Sequence, residues 1–254
     1  MEVSKTQQKK ALKRERIEEK YKRQKEEKKA RKQEHSQQNE VKEGSSDIRG
    51  IRQERNAMFR ADFESKCEQG PIVVIDCEWG DKMTDKELLS LTQQIMYSYS
   101  SVKSSEKPVR LWVTGASDKQ RDLFRKLPGS DTWYMVFTQK SFQDLGLENV
   151  VYLTADAEDV LSVSDMKPNQ ALVIGGIVDR NRHKNATLNK ANELGYRTAQ
   201  LPIGDFMPLK SSKVLTVNHV VQILVNVRES NDWNDALNRA IPDRKRDDDL
   251  DIPS

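Results

Sequence analysis

The segment Val173-Ile174-Gly175-Gly176-Ile177-Val178-Asp179-Arg180-Asn181-Arg182-His183-Lys184 carries the residue types best suited to chemistry. A single carboxylate, Asp179, closes an apolar run and is followed at once by cations, an amide and an imidazole. A carboxylate so placed can hold or accept a proton. Arg180, Arg182 and Lys184 can meet phosphate. Gly175 and Gly176 interrupt the apolar run, where glycines cost stability unless another group must approach the backbone closely. By themselves the glycines also fit a strand bulge. Asp179 by itself also fits a helix cap or a partner for Arg180.

Several other chemistries lack their motifs. No Gly-x-Gly-x-x-Gly follows a strand, no Gly-Lys-Ser/Thr closes a phosphate loop, and no Gly-x-Ser-x-Gly elbow occurs. His35, His183 and His219, with Cys67 and Cys77, show no metal-ligand spacing, so no metal site is expected. Hydride transfer, phosphoryl transfer and hydrolysis are weakened accordingly.

The elements that must position the segment alternate in type. Apolar runs predict strands at Ile72–Asp76, Val109–Thr114, Trp133–Phe137, Val150–Thr154, Leu172–Val178 and Arg197–Ile203. Helical spacing predicts helices at Asp81–Tyr99, Ser117–Lys126, Asn185–Leu194, Val214–Val227 and Asn231–Ala240. Thr84 and Glu87 have capping-box spacing, and Gly195 is a helix stop. Alternation of this kind implies an α/β domain with a mostly parallel sheet, whose site lies at the C-terminal strand ends. Lys190 is read as an exposed helix charge, Asp156 as a cap or structural acid, and His183 as a rim residue. The Trp residues are read as core.

Of the 254 residues 33% are charged and only 35% hydrophobic, so polar extensions flank one domain. Residues 1–70 are read as a basic, charged extension, 71–242 as the domain and 243–254 as a charged tail. The net charge is only +3, but the N-terminal stretch concentrates Lys and Arg and suits contact with nucleic-acid phosphate. It also reads as a solvated charged helix. Cys67 and Cys77 read as reduced thiols. No apolar run is long enough for a bilayer and no signal peptide is evident, so no membrane partner is expected and the location is expected to be nuclear or cytoplasmic.

The run Ile174 to Arg182, together with Leu153-Thr154-Ala155-Asp156, Thr198-Ala199-Gln200-Leu201-Pro202-Ile203 and Val214-Leu215-Thr216-Val217-Asn218, closely resembles the tRNA position-9 guanine-N1-methyltransferase family of the SPOUT superfamily. The resemblance spans about Pro71 to Pro242. It implies a mostly parallel sheet flanked by helices, with a C-terminal deep trefoil knot, a rare exception to unknotted chains. It implies S-adenosyl-L-methionine as cofactor, tRNA as partner and a monomer. Leu153, Thr154, Gly175, Gly176, Asn181, Thr187, Leu201, Leu215, Thr216 and Val217 match the cofactor-binding positions. Thr187 stands where many members have cysteine. Asp179 matches the proposed base for the guanine N1 proton, and Arg180, Arg182, Lys184 and Lys103 fall at RNA-facing positions.

Two departures reduce positive charge. Where the family commonly shows Arg-Cys-Tyr-x-x-Asn-Arg-Arg, this chain has Tyr97-Ser98-Tyr99-Ser100-Ser101-Val102-Lys103-Ser104, and Gln200 replaces a usual Lys or Arg. The expected reaction is N1-methylation of guanine at tRNA position 9. N1-methylation of adenine at that position, or tRNA binding without catalysis, are the alternatives.

Overall fold

The structure, a computed structural model, describes residues 46–179, 182–207 and 215–241. Most of the basic extension and the acidic tail lie outside the described residues. The chain divides into two compact units, Met1–Phe59 and Arg60–Ser254, and the sheet belongs to the second. A helix, α1, runs from Ser46 to Glu68. Its Phe63 and Cys67 are buried in the core, so packing begins ahead of Pro71.

Six parallel strands follow: β1 (Ile72–Asp76), β2 (Arg110–Thr114), β3 (Val136–Phe137), β4 (Val150–Leu153), β5 (Ala171–Gly175) and β6 (Arg197–Ala199). Their order is β3-β2-β1-β5-β4-β6. The order reverses between β1 and β5, where ligands of open parallel sheets gather. Helices α2 (Asp85–Ser104), α3 (Asp118–Arg125), α4 (Ala186–Glu193), α5 (Ile203–Phe206), α6 (Val217–Ser230) and α7 (Trp233–Ala240) complete the described α-helices.

Side chains alternate across each strand, and this sorts the core into two layers. Val73, Ile75, Leu172 and Ile174 face one side, with Leu91 of α2 and Leu224 of α6. Ile72, Val74, Tyr152 and Val173 face the other, with Phe142 and Ala191 of α4. Both layers are apolar, so the strands read as continuous hydrophobic runs.

Several element ends differ from those predicted. The capping box marks the true start of α2: Thr84 Oγ1 accepts from Glu87 N, while Glu87 Oε2 accepts from Thr84 N at 2.8 Å. Residues Gly80–Lys82 form only a 3-10 turn ahead of it. The fifth strand stops at Gly175, not Val178, and the Gly176 N–H donating to the Asp76 carbonyl at 2.7 Å is the last rung of its pairing with β1. The sixth stops at Ala199, and beyond Pro202 the chain turns into α5. The third strand keeps only Val136 and Phe137. Its predicted start, Trp133, instead stacks on Tyr99 with ring centroids 4.5 Å apart. Helix α6 begins at Val217, and the predicted start at Val214 lies outside the described residues.

Candidate active site

A cleft of about 980 Å³, counted out to its open mouth, lies at the ends of β4 and β5. Leu153 and Thr154 enter it from the end of β4, and Ile174 and Gly175 from β5. Leu201 and Ile203 come from the segment after β6, Leu215 from just ahead of α6, and Val217 and Val220 from its first turn. Thr187 and Ala186 enter from α4. Asp179 and His183 stand on its wall, joined by Asp156 and Gln200. The walls are thus largely apolar, with a few polar groups at the edge.

Each contribution has a local cause. Alternation aims Gly175 at α4: a Cβ there would stand 2.5 Å from Thr187 Cγ2. The missing side chain lets α4 settle on the strand, and the Thr187 hydroxyl donates to Thr154 Oγ1 at 3.0 Å. Two hydroxyls from distant parts of the chain are thereby joined at the cleft wall. Gly176 is required for another reason than room for a ligand. Its Cβ would meet the Asp76 carbonyl oxygen at 2.7 Å and Cys77 Sγ at 3.0 Å, on the β1 side. The N-terminus of α6 is held from outside its own segment. Thr216 makes no side-chain cap, and its hydroxyl bonds Asn218 Oδ1 at 2.9 Å. Buried Gln94 of α2 instead accepts from Val217 N at 2.9 Å.

Asp179 Oδ2 accepts a hydrogen bond from His183 N at 2.8 Å, so the carboxylate shapes its own turn while lining the cleft. Asp179 is thus not a helix cap, since α4 begins at Ala186 with Asn185 as its N-cap. Arg182 donates from Nε to the Asp179 carbonyl at 2.9 Å and from Nη2 to Glu87 Oε2 at 2.7 Å. It braces the loop against α2 as well as facing solvent. Lys184 is exposed. Lys103 sits in the last turn of α2, about 24 Å along the helix from Glu87 at its start. The structure therefore does not bring Lys103 to the Asp179 rim. Arg180 and Asn181 lie outside the described residues.

Lys190 departs from its expected role. Its side chain is only 18% exposed and binds Asp76 Oδ2 at 2.6 Å and Glu78 Oε2 at 2.7 Å. Sequence reasoning also missed Asp76, Tyr152 and Gln94. An acid ending a buried run was a usable signal for Asp76, while nothing local marks Gln94. Gln200, the departure from a usual cation, donates Nε2 to the Ala157 carbonyl at 2.7 Å and closes the loop beside the cleft. Among the described residues no group of three or more His, Cys, Asp or Glu side chains is placed to hold a metal. Among the described residues no helix is long and apolar enough to cross a membrane.

A parallel sheet with an apolar cleft at its strand ends and one carboxylate on the wall defines an α/β domain built to take a small ligand beside an acid. The model of the tRNA (guanine(9)-N(1))-methyltransferase TRM10/TRM10A family matches residues 1–246, and the chain belongs to that family. The chain is similar to the tRNA (guanine(9)-N1)-methyltransferase of Kluyveromyces lactis, at 37% identity over 183 residues. That match covers 71% of this chain and 61% of the relative. The Eremothecium gossypii enzyme of the same name is 38% identical over 182 residues, covering 70% and 60%. The chain thus spans about three fifths of the length of these relatives. Among solved structures it is similar to the full-length spTrm10–SAH complex, with 34% identity, a TM-score of 0.63, and coverage of 70% of this chain and 97% of that one. The SPOUT-type, mostly parallel α/β class expected from the sequence holds.

Proposed function

We propose that this protein is an S-adenosyl-L-methionine-dependent tRNA methyltransferase that forms N1-methylguanosine at position 9. The observation that carries the reading is one cleft in which Asp179 shares walls with Gly175, Leu153, Thr154, Leu201, Leu215 and Val217. The residues present fit the cofactor: apolar walls for the adenine, the paired hydroxyls of Thr154 and Thr187 for polar contacts, and Gly175 keeping α4 close. Bound there, the cofactor supplies an electrophilic methyl group. Guanine N1 carries a proton at neutral pH, and the Asp179 carboxylate would accept that proton when N1 takes the methyl group the cofactor supplies. The turn bond from His183 N holds the carboxylate in place through this step.

Binding of tRNA is assigned to the rim cations Arg180, Arg182 and Lys184 and to the basic extension, with Lys103 as a distant phosphate contact. Residues 1–70 serve as that extension, 71–242 as the methyltransferase domain and 243–254 as a tail. The enzyme works as a monomer, without a metal, in the nucleus or cytoplasm.

The test is incubation with labelled S-adenosylmethionine and unmodified tRNAs bearing guanine or adenine at position 9, with the product mapped by primer extension. Methylation confined to guanine 9 is expected. The variant Asp179→Asn should lower the single-turnover rate about 100-fold or more while leaving cofactor affinity nearly unchanged. A variant as fast as wild type across pH would remove Asp179 from the mechanism. Binding of tRNA without methyl transfer would leave a scaffold instead.

A further inference from the structure

Asp76 ends β1 where the strand order reverses, and it is fully buried at 0% exposure. A buried carboxylate is costly unless it is paired and hydrogen-bonded. Here the Tyr152 hydroxyl donates to Oδ2 at 2.7 Å, the Lys190 ammonium donates to the same oxygen at 2.6 Å, and Glu78 N reaches Oδ1 at 3.2 Å. Lys190 is itself enclosed. Glu78 Oε2 accepts from it at 2.7 Å, and its Nζ lies 5.1 Å from the Trp79 ring centroid and 5.7 Å from that of Phe142. Neither Asp76 nor Lys190 lines the cleft.

The main chain of Asp76 has a second task. Its carbonyl accepts from Gly176 N at 2.7 Å, at the entrance of the segment that carries Asp179. Its carboxylate, through Lys190, holds α4, which begins where that segment ends. One residue therefore fastens both ends of the loop. Gly176 is what permits the first fastening, because any Cβ would strike that same carbonyl. The second fastening presses Thr187 of α4 against Gly175, on the cleft wall.

We propose that the Asp76–Lys190 pair is a clamp that sets the position of the Asp179 loop, and that Lys190 is a positioning residue for methyl transfer. This rests on the function proposed above. The pair acts through the loop and touches neither the cofactor nor the base. A loose clamp leaves the cleft walls standing but lets Asp179 drift, and small misplacements of a catalytic group are costly in rate.

The test compares wild type, Lys190→Met and the double variant Asp76→Asn with Lys190→Met. The single variant leaves a buried carboxylate without its cation and should lower the melting temperature. The double variant removes both charges and should recover most of that loss. In both, kcat for tRNA methylation should fall about ten- to a hundredfold, with KM for tRNA and cofactor within about twofold. Amide hydrogen exchange across residues 176–185 should rise, while β2 and α6 stay protected. Should the double variant recover stability together with wild-type kcat, or should exchange across 176–185 stay unchanged in either variant, the clamp is overturned. A wild-type protein that methylates no tRNA would sink the proposed function, and the exchange measurement would still decide the clamp.

Discussion

Gly175 and Thr187 form a matched pair, since the methyl of one occupies the space a side chain on the other would need. Gly175→Ala should therefore destabilise the protein by about 1–3 kcal/mol through overpacking. Adding Thr187→Ser, which removes the methyl but keeps a hydroxyl for Thr154, should recover most of the loss in urea denaturation. A double variant as unstable as the single one would show that the strain lies elsewhere. Asp179 and the glycine pair were legible in the sequence because a carboxylate and two glycines at the end of an apolar run are unusual there. Lys190 was not legible. A lysine on a helix looks the same in sequence whether it faces water or a buried acid 114 positions away.

Helix α2 shows how an element end can serve the site. The Thr84 backbone N–H, aided by the Thr84 hydroxyl and the Arg182 guanidinium, holds the Glu87 carboxyl below its ordinary range. With the folded-state pKa depressed, the unfolded chain binds the extra proton first. The stabilisation is complete above the ordinary carboxylate pKa and is lost as pH falls through the depressed value. Glu87→Gln should thus be less stable than wild type at neutral pH, with the gap closing in acid. A gap of equal size at both pH values would mean that the charge plays no part. The capping box itself was readable from the Thr84–Glu87 spacing, and it placed the helix start better than the apolar periodicity did. The attachment of Arg182 to Glu87 was not readable, because it joins elements 95 positions apart.

Across the whole molecule, Cys67 and Cys77 are free and buried on the core side that also holds α2, α6 and α7. Burial pushes the Cys67 thiol up to about 12, with Glu68 adding to the rise. Burial raises Cys77 as well, and the neighbouring Asp76 adds to it. With both folded-state values raised, their contribution to stability is intact below the unfolded-state thiol pKa and fades as pH climbs toward the folded ones. Native protein at mildly alkaline pH should resist iodoacetamide at both positions, and denatured protein should take up two labels. Rapid labelling of the native state would contradict this packing. The sequence by itself determined the α/β class and the approximate place of all six strands, because continuous apolar runs separated by helical stretches leave few other arrangements. It also marked the segment from Gly175 to Lys184, whose composition departs abruptly from that of a strand. Only the tertiary structure decided where β5 and β6 stop, that Gln94 holds the start of α6, and that Asp76 and Lys190 fasten the loop carrying Asp179. The physical reason is that a polar group chooses its partner by proximity in the folded sheet. Which strands are neighbours, and which face a side chain takes, is settled only when the whole sheet is assembled.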